Sequence, residues 1–413
     1  MIISTLSLKM LFDNIYIEFI YKYFAYETFT LSYNQVNQIV SYIIITLTVI
    51  SLYILEKDNR GTKIPLYILF FSLLLPLSTI AAYESMEIKY YLYIMFSYNM
   101  IVILLVFTPD INLKWPDKQL MDIPLLFMFG IYIYTYSMLL LNGGFTRINF
   151  NLDEVYETRE LLEESSFPFS NYFISWIGYS FNPILIILGL YNKNKTLFYF
   201  GLILQILLFG MTNFKSFLFS IPLMIFIYYI AKLKNHFLVI CIGVISLLLL
   251  LNLLFILTND ITLSSILIRR QFFVPAHLHY LYNDFFTRNP LIYLSDSIFK
   301  YFVTYPYSDG VTRIIGVEYW GKRFGPNVGF FGNAFYNFGY NGILFFSLLL
   351  FIFIKIVNSL EAKVPKNLIC SIILVPFMAL INSGFLTTLL THSLLISAVS
   401  IWLMGAFINK ERV

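Results

Sequence analysis

Seven of the chain's nine arginines fall in two stretches: Arg147 and Arg159 within residues 143–170, and Arg269, Arg270, Arg288, Arg313 and Arg323 within residues 258–328. Guanidinium groups bind phosphate bidentately, so arginines gathered in this way are the residue type that would hold a phosphorylated anion. The second stretch contains the run RRQFFVPAHLHYLYNDFF (269–286), in which paired arginines precede His277, His279 and Asp284. Imidazole titrates near neutral pH and is the commonest general base. Either His277 or His279 could remove a proton there, with Asp284, Asp296, Asp309 and Glu318 as competing carboxylates. The first stretch aims one arginine inward. Residues 151–164 read as a helix capped by Asn151, in which Leu152, Val155, Arg159 and Leu162 share a face while most of the acids point elsewhere. Arg159 is either a snorkelling side chain reaching lipid phosphates or, with Arg147, part of a pocket for a ligand phosphate.

Other chemistries find no residues to support them. There is no HExxH, CxxC or DxD pattern for a metal, and no glycine-rich loop of the P-loop or Rossmann kind. No cofactor is implied, and neither ATP nor a nucleotide sugar is expected as direct substrate. The two cysteines, Cys241 and Cys370, both lie inside apolar runs, where thiols behave as small hydrophobes. A formal net charge of +4 gives no argument for nucleic acid.

The elements that must position these residues are membrane spans. Of 413 residues, 59% are hydrophobic and only 12% charged, against about 25% charged in a soluble domain. A lipid bilayer must solvate the excess, and 43 Phe and 32 Tyr suit broad aromatic belts. Taking about 20 apolar residues per crossing, spans are predicted near 36–55, 64–82, 90–108, 123–142, 171–190, 196–212, 215–231, 236–257, 329–355, 367–382 and 386–408, eleven in all. Residues 1–35 carry Asp13, Glu18, Lys22 and Glu27 among aromatics and read either as an interfacial amphipathic helix or as a poor extra span. Asp13 and Glu18 also interrupt the only stretch that could form the core of a cleavable signal peptide. Alternate connections carry Lys57 and Lys63, Lys114 and Lys118, Lys193 and Lys195, Lys232 and Lys234, Lys363 and Lys366, and Lys410. Lysine-rich connections stay cytoplasmic, so loops 143–170 and 258–328 are expected on the outer face, as are the turns at 213–215 and 382–384. The whole of 1–413 reads as one polytopic all-α membrane domain with two extracytoplasmic elaborations.

Four stretches carry a family resemblance: GGFTRINFNLDEVYETR (143–159), GMTNFKSFLFSIPL (210–223), RRQFFVPAHLHYLYNDFFTRNP (269–290) and PNVGFFGNAFYNFGYNGILFF (326–346), the last with a glycine pair, Gly339 and Gly342, opening a span. In these, and in its topology, the chain resembles the O-antigen and capsule repeat-unit polymerases, the Wzy-type oligosaccharide polymerases of bacterial envelopes. The glycines could equally serve tight helix packing. The resemblance implies an architecture like that of the GT-C polymerases and ligases in the bacterial plasma membrane, and a metal-independent, inverting glycosyl transfer at its outer face. The donor would be a growing glycan on undecaprenyl diphosphate, the acceptor a lipid-linked repeat unit, and a chain-length regulator and a flippase the protein partners. Arg147, Arg159, Arg269 and Lys215 would then contact the diphosphate, with His277, Arg270 and Arg313 at the reacting bond. An O-antigen ligase and a lipid-linked oligosaccharide flippase or other transporter are the alternative readings.

Overall fold

The computed structural model describes residues 1–58, 60–84, 86–146, 148 and 166–408; among them every regular element is helical and no strand occurs. In chain order the helices are α1 (residues 2–24), α2 (Gln35–Glu56), α3 (Lys63–Tyr83), α4 (Ile88–Phe107), α5 (Asp122–Leu141), α6 (Ser170–Tyr191), α7 (Lys195–Thr212), α8 (Lys215–Ile230) and α9 (His236–Thr258). There follow α10 (residues 262–288), α11 (Val311–Trp320), α12 (Phe330–Leu360), α13 (Lys366–Ile381), α14 (Phe385–Leu390) and α15 (Leu394–Met404). Eight of these, α2 to α7 with α9 and α12, are long and apolar enough to cross a membrane. The protein is a polytopic helical membrane protein.

The bundle has a lysine end and an arginine end. At the lysine end the Gly61 N–H donates to the Glu361 carboxylate (2.8 Å), Arg60 pairs with Asp110 (2.8 Å), Lys355 reaches the Thr108 carbonyl (2.6 Å) and Trp402 the Lys114 carbonyl (2.9 Å). These contacts tie the connections at 57–62, 108–121 and 361–365 to one another and to α12 and α15, all far apart in sequence. Polar side chains also fasten the interior of the bundle, where helices gain nothing hydrophobic by leaving lipid. Fully buried Gln205 on α7 donates to the carbonyls of Gly178 (2.9 Å) and Phe217 (3.1 Å) and accepts from Asn182 (3.0 Å), locking α6, α7 and α8 together.

Three expectations change on contact with the structure. Residues 1–35, read either as an interfacial helix or as a poor extra span, contain a helix packed on the bundle: α1 runs alongside α9, with Ser4 and Thr5 beside Cys241 and Phe19 and Tyr23 stacked on Phe255. At about 1.5 Å per residue it is as long as the hydrocarbon is thick. Two of its four charges face inward, while Glu18 and Lys22 are exposed and pair with each other. Lys9 is 0% and Asp13 5% exposed, and they pair with each other.

Next, the segment read as one span at 386–408 is interrupted, with α14 and α15 separated by a turn in which Ser393 takes a left-handed conformation (φ 68°). The cluster Thr387, Thr388, Thr391, His392 and Ser393 gives the backbone alternative hydrogen-bond partners there, which breaks the helix. Third, the glycine pair does not open α12 but breaks it partway along. Phe338 and Gly339 leave helical geometry, Gly339 with φ 62°, ψ −147°, a region essentially reserved for glycine. A Cβ on Gly342 would lie 2.2 Å from the Ala334 carbonyl oxygen.

Loop 258–328 is folded, as its length and aromatics imply. Its main element, α10, packs inside the bundle against α3 and α12. The following residues are strapped to the broken part of α12, the N–H groups of Ile292 and Tyr293 donating to the carbonyls of Tyr336 and Asn337 (both 3.1 Å).

Candidate functional site

At the arginine end four segments meet around one histidine. α3 ends at Glu84, whose N–H closes the last turn on the Ile80 carbonyl (2.8 Å). The chain leaving α1 makes a tight turn, Ala25–Glu27, and reverses at Thr28 in a left-handed conformation (φ 73°), which is strained for a β-branched residue. Residues 32–34 then lie across the end of α3. The N–H groups of Ser32 and Asn34 donate to the carbonyls of Tyr83 (2.7 Å) and Ala82 (2.9 Å), satisfying groups that a helix end leaves unpaired. From the other side α10 presents His277, two residues beyond Pro275.

The contacts form a chain. His277 Nδ1 lies 2.7 Å from Glu84 Oε2, and Tyr16 donates its hydroxyl to Glu84 Oε1 (2.7 Å) and lies 2.5 Å from the Thr30 carbonyl. His277 Nε2 lies 2.8 Å from Thr28 Oγ1. Phe29 stacks on the imidazole with ring centres 4.3 Å apart. Glu84 is 0% and His277 2% exposed, while Thr28 is half-buried. An ionised carboxylate only accepts hydrogen bonds, so Glu84 places the imidazole proton on Nδ1 and leaves Nε2 as the acceptor. This is the arrangement of an oriented general base. A polar cleft of about 420 Å³ opens beside it, lined by Ser32, Tyr33, Asn34, Asn37, Glu84 and Met86.

The arginines divide into distinct groups. Arg269, about two helical turns before His277, lies over the Phe24 ring (4.6 Å) and pairs with Glu27, so it ties α10 to the turn that carries Thr28. Arg270 is exposed and has no carboxylate partner among the described residues. Arg288 pairs with Asp284, which raises its guanidinium above its ordinary value. Arg313 and Arg323 both pair with Asp309 (3.4 and 2.9 Å) on a solvated turn. The Gly310 N–H and then Arg323 hold that carboxyl below the usual range. Arg313 therefore sits with Arg323, apart from the His277 cluster. Lys215 is the half-buried first residue of α8, following a turn with Asn213 in left-handed conformation (φ 51°), and has no carboxylate partner among the described residues. Arg147 and Arg159 lie outside the described residues.

The two histidines, equivalent in sequence, separate here. His279 is wholly enclosed and bonds through Nδ1 to the Pro275 carbonyl of its own helix (2.7 Å). Glu318 and Asp296 face solvent. Thr28, Tyr16, Glu27 and Glu84 escape sequence reasoning altogether. The available signal was the spacing of Lys9, Asp13 and Tyr16, three polar residues at helical intervals on one face of a stretch otherwise apolar enough to pack.

The division of the arginines gives a measurable expectation. Arg269→Lys should lower the thermal stability of the detergent-solubilised protein by about 1.5 kcal/mol, because an ammonium cannot both stack on Phe24 and hold Glu27. Arg313→Lys and Arg323→Lys should stay within about 0.5 kcal/mol of the parent, as exposed pairs do. Equal losses from all three would mean that Arg269 is no better anchored than the surface pairs. Compared with known proteins, this chain matches no family model, no curated protein and no solved structure.

Proposed function

We propose that the protein is an oligosaccharide repeat-unit polymerase of a bacterial plasma membrane, transferring a glycan from undecaprenyl diphosphate to a lipid-linked repeat unit at the outer face. The observation that carries this reading is the His277–Glu84 pair, a buried, oriented base on the helix that also bears Arg269 and Arg270, at one end of a helical bundle. In the reaction the acceptor hydroxyl attacks the anomeric carbon of the donor and its proton passes to the base. The bond to the diphosphate breaks, and the configuration inverts. The leaving group gains negative charge, which Arg270, Lys215 and the first-loop pair Arg147 and Arg159 are the available cations to stabilise. Two lipid substrates must be aligned at once, and the two arginine-bearing loops read from the sequence suit that task. With α1, the eight long helices and the three shorter apolar ones, the chain makes twelve crossings, the lysine end cytoplasmic and the arginine end outside.

Loss of the gene should leave cells displaying glycan carriers capped with at most one repeat, read as collapse of the polymer ladder on a gel to a single step. Complete absence of repeats with lipid-linked units trapped inside would support a flippase instead. Polymer accumulating on undecaprenyl would support a ligase. The observation most favourable to transport is the intramembrane Lys9–Asp13 pair, since such charges often line substrate paths. That pair is closed on itself and on Thr79 and Tyr42.

A further inference from the structure

His277 is buried beneath Phe29, and its one catalytically useful atom, Nε2, is covered by Thr28 Oγ1 at 2.8 Å. A substrate hydroxyl approaching from outside therefore meets the half-exposed threonine before it can meet the imidazole. We propose that Thr28 is a catalytic residue, a relay hydroxyl that passes the acceptor's proton to His277; the proposal rests on the polymerase reading for its substrate, a sugar hydroxyl, and on geometry for the relay itself.

The surroundings of Thr28 fit two states of one relay. Its hydroxyl has two neighbours, His277 Nε2 and the Glu27 carbonyl. With the imidazole neutral, Glu84 holds the proton at Nδ1 and the Thr28 hydroxyl donates to Nε2. When the acceptor attacks, its proton moves to Thr28 Oγ as the original Thr28 proton moves to Nε2. The acceptor oxygen forms its bond to the anomeric carbon, and the electron pair of the broken bond leaves with the diphosphate. The imidazolium now donates from both nitrogens, to Glu84 and to Thr28, and the Thr28 proton turns to the Glu27 carbonyl. Every hydrogen bond in both states has a partner already in place. The left-handed backbone of Thr28 and the Arg269–Glu27 pair fix the hydroxyl in position, so the turn holds strain at the point where a reacting group must be aimed.

The test compares Thr28→Val, Thr28→Ser and Thr28→Ala in the full-length protein, reconstituted in nanodiscs with the lipid-linked repeat unit as substrate. Valine keeps the volume and removes the hydroxyl, so the rate should fall roughly a hundredfold or more. Serine should rescue most of it, and alanine should fall between because water can enter the vacated space. The 15N signals of His277 give a second readout that needs no turnover: Thr28→Val should change the Nε2 signal from that of a hydrogen-bonded acceptor and leave Nδ1 on Glu84. A Thr28→Val enzyme within about threefold of the parent rate, an unchanged Nε2 signal, or a glycan trapped covalently on Thr28 would each overturn the relay. If the parent protein joins no repeat units, the polymerase reading fails by itself, and the Nε2 signal still decides whether Thr28 and His277 share a proton.

Discussion

Replacing His277 by Gln is expected to reduce chain growth by roughly 10²–10⁴-fold, the usual worth of a general base, while the protein still accumulates in the membrane. Glutamine is the informative choice. Its amide can donate to Glu84 in place of Nδ1, so the buried carboxylate keeps a partner and the fold is spared the large cost of an uncompensated charge. It has no basic atom to receive a proton from Thr28. His279→Gln, by contrast, removes a histidine whose Nδ1 bond returns to Pro275 within its own helix, so a loss there should follow the amount of folded protein. The measurement is polymer ladder length set against protein level for both variants. A normal ladder from His277→Gln would remove the base from the proposal, and an equal loss per folded molecule from both variants would show that the helix and not the imidazole matters.

The second large effect is expected in α1. Lys9 and Asp13 are buried inside the helical bundle, where Thr79 and Tyr42 complete the coordination of the carboxylate (2.8 and 2.9 Å). Asp13→Ala leaves an ammonium without its counter-ion, at a cost of about 3–5 kcal/mol, and should strip most of the protein from the membrane. Lys9→Met combined with Asp13→Leu removes both charges at similar volume and should recover most of the loss, the residue being about 1 kcal/mol for each hydroxyl left without its acceptor. Thermal unfolding in detergent and membrane abundance report both. A double variant no better than Asp13→Ala would mean that the pair stabilises through packing of the side chains and not through mutual neutralisation.

These two sites mark where reading the chain residue by residue stops. The long apolar runs were plain, because a helix that faces lipid must be apolar along its whole length, and that requirement is local. Eight of them stand as membrane-length helices in the structure, and three more appear as shorter apolar ones. The lysines at alternate connections were equally legible, and so was the crowding of arginine, histidine and aromatic residues in 258–328. The packing of α1 and α10 inside the bundle was not. Hydropathy counts Lys9, Asp13, Arg269 and His277 as residues that must face water, whereas each is neutralised or hydrogen-bonded by a group on another helix or on the next turn.

What the sequence determined by itself is thus the class of the protein and most of its apolar helices, because each follows from the composition of a short window. What only the tertiary structure decided is the site. His277 meets Glu84 from 193 residues away and Thr28 from 249, and Arg269 meets Glu27 from 242. No local pattern encodes contacts of that range. His277 and His279 stand two positions apart, which on a helix turns them roughly 200° from each other, so one faces Glu84 and the turn at Thr28 while the other faces its own backbone. That choice is made by how α10 lies between α3 and α12, since a buried carboxylate with one open acceptor oxygen selects the imidazole that can reach it.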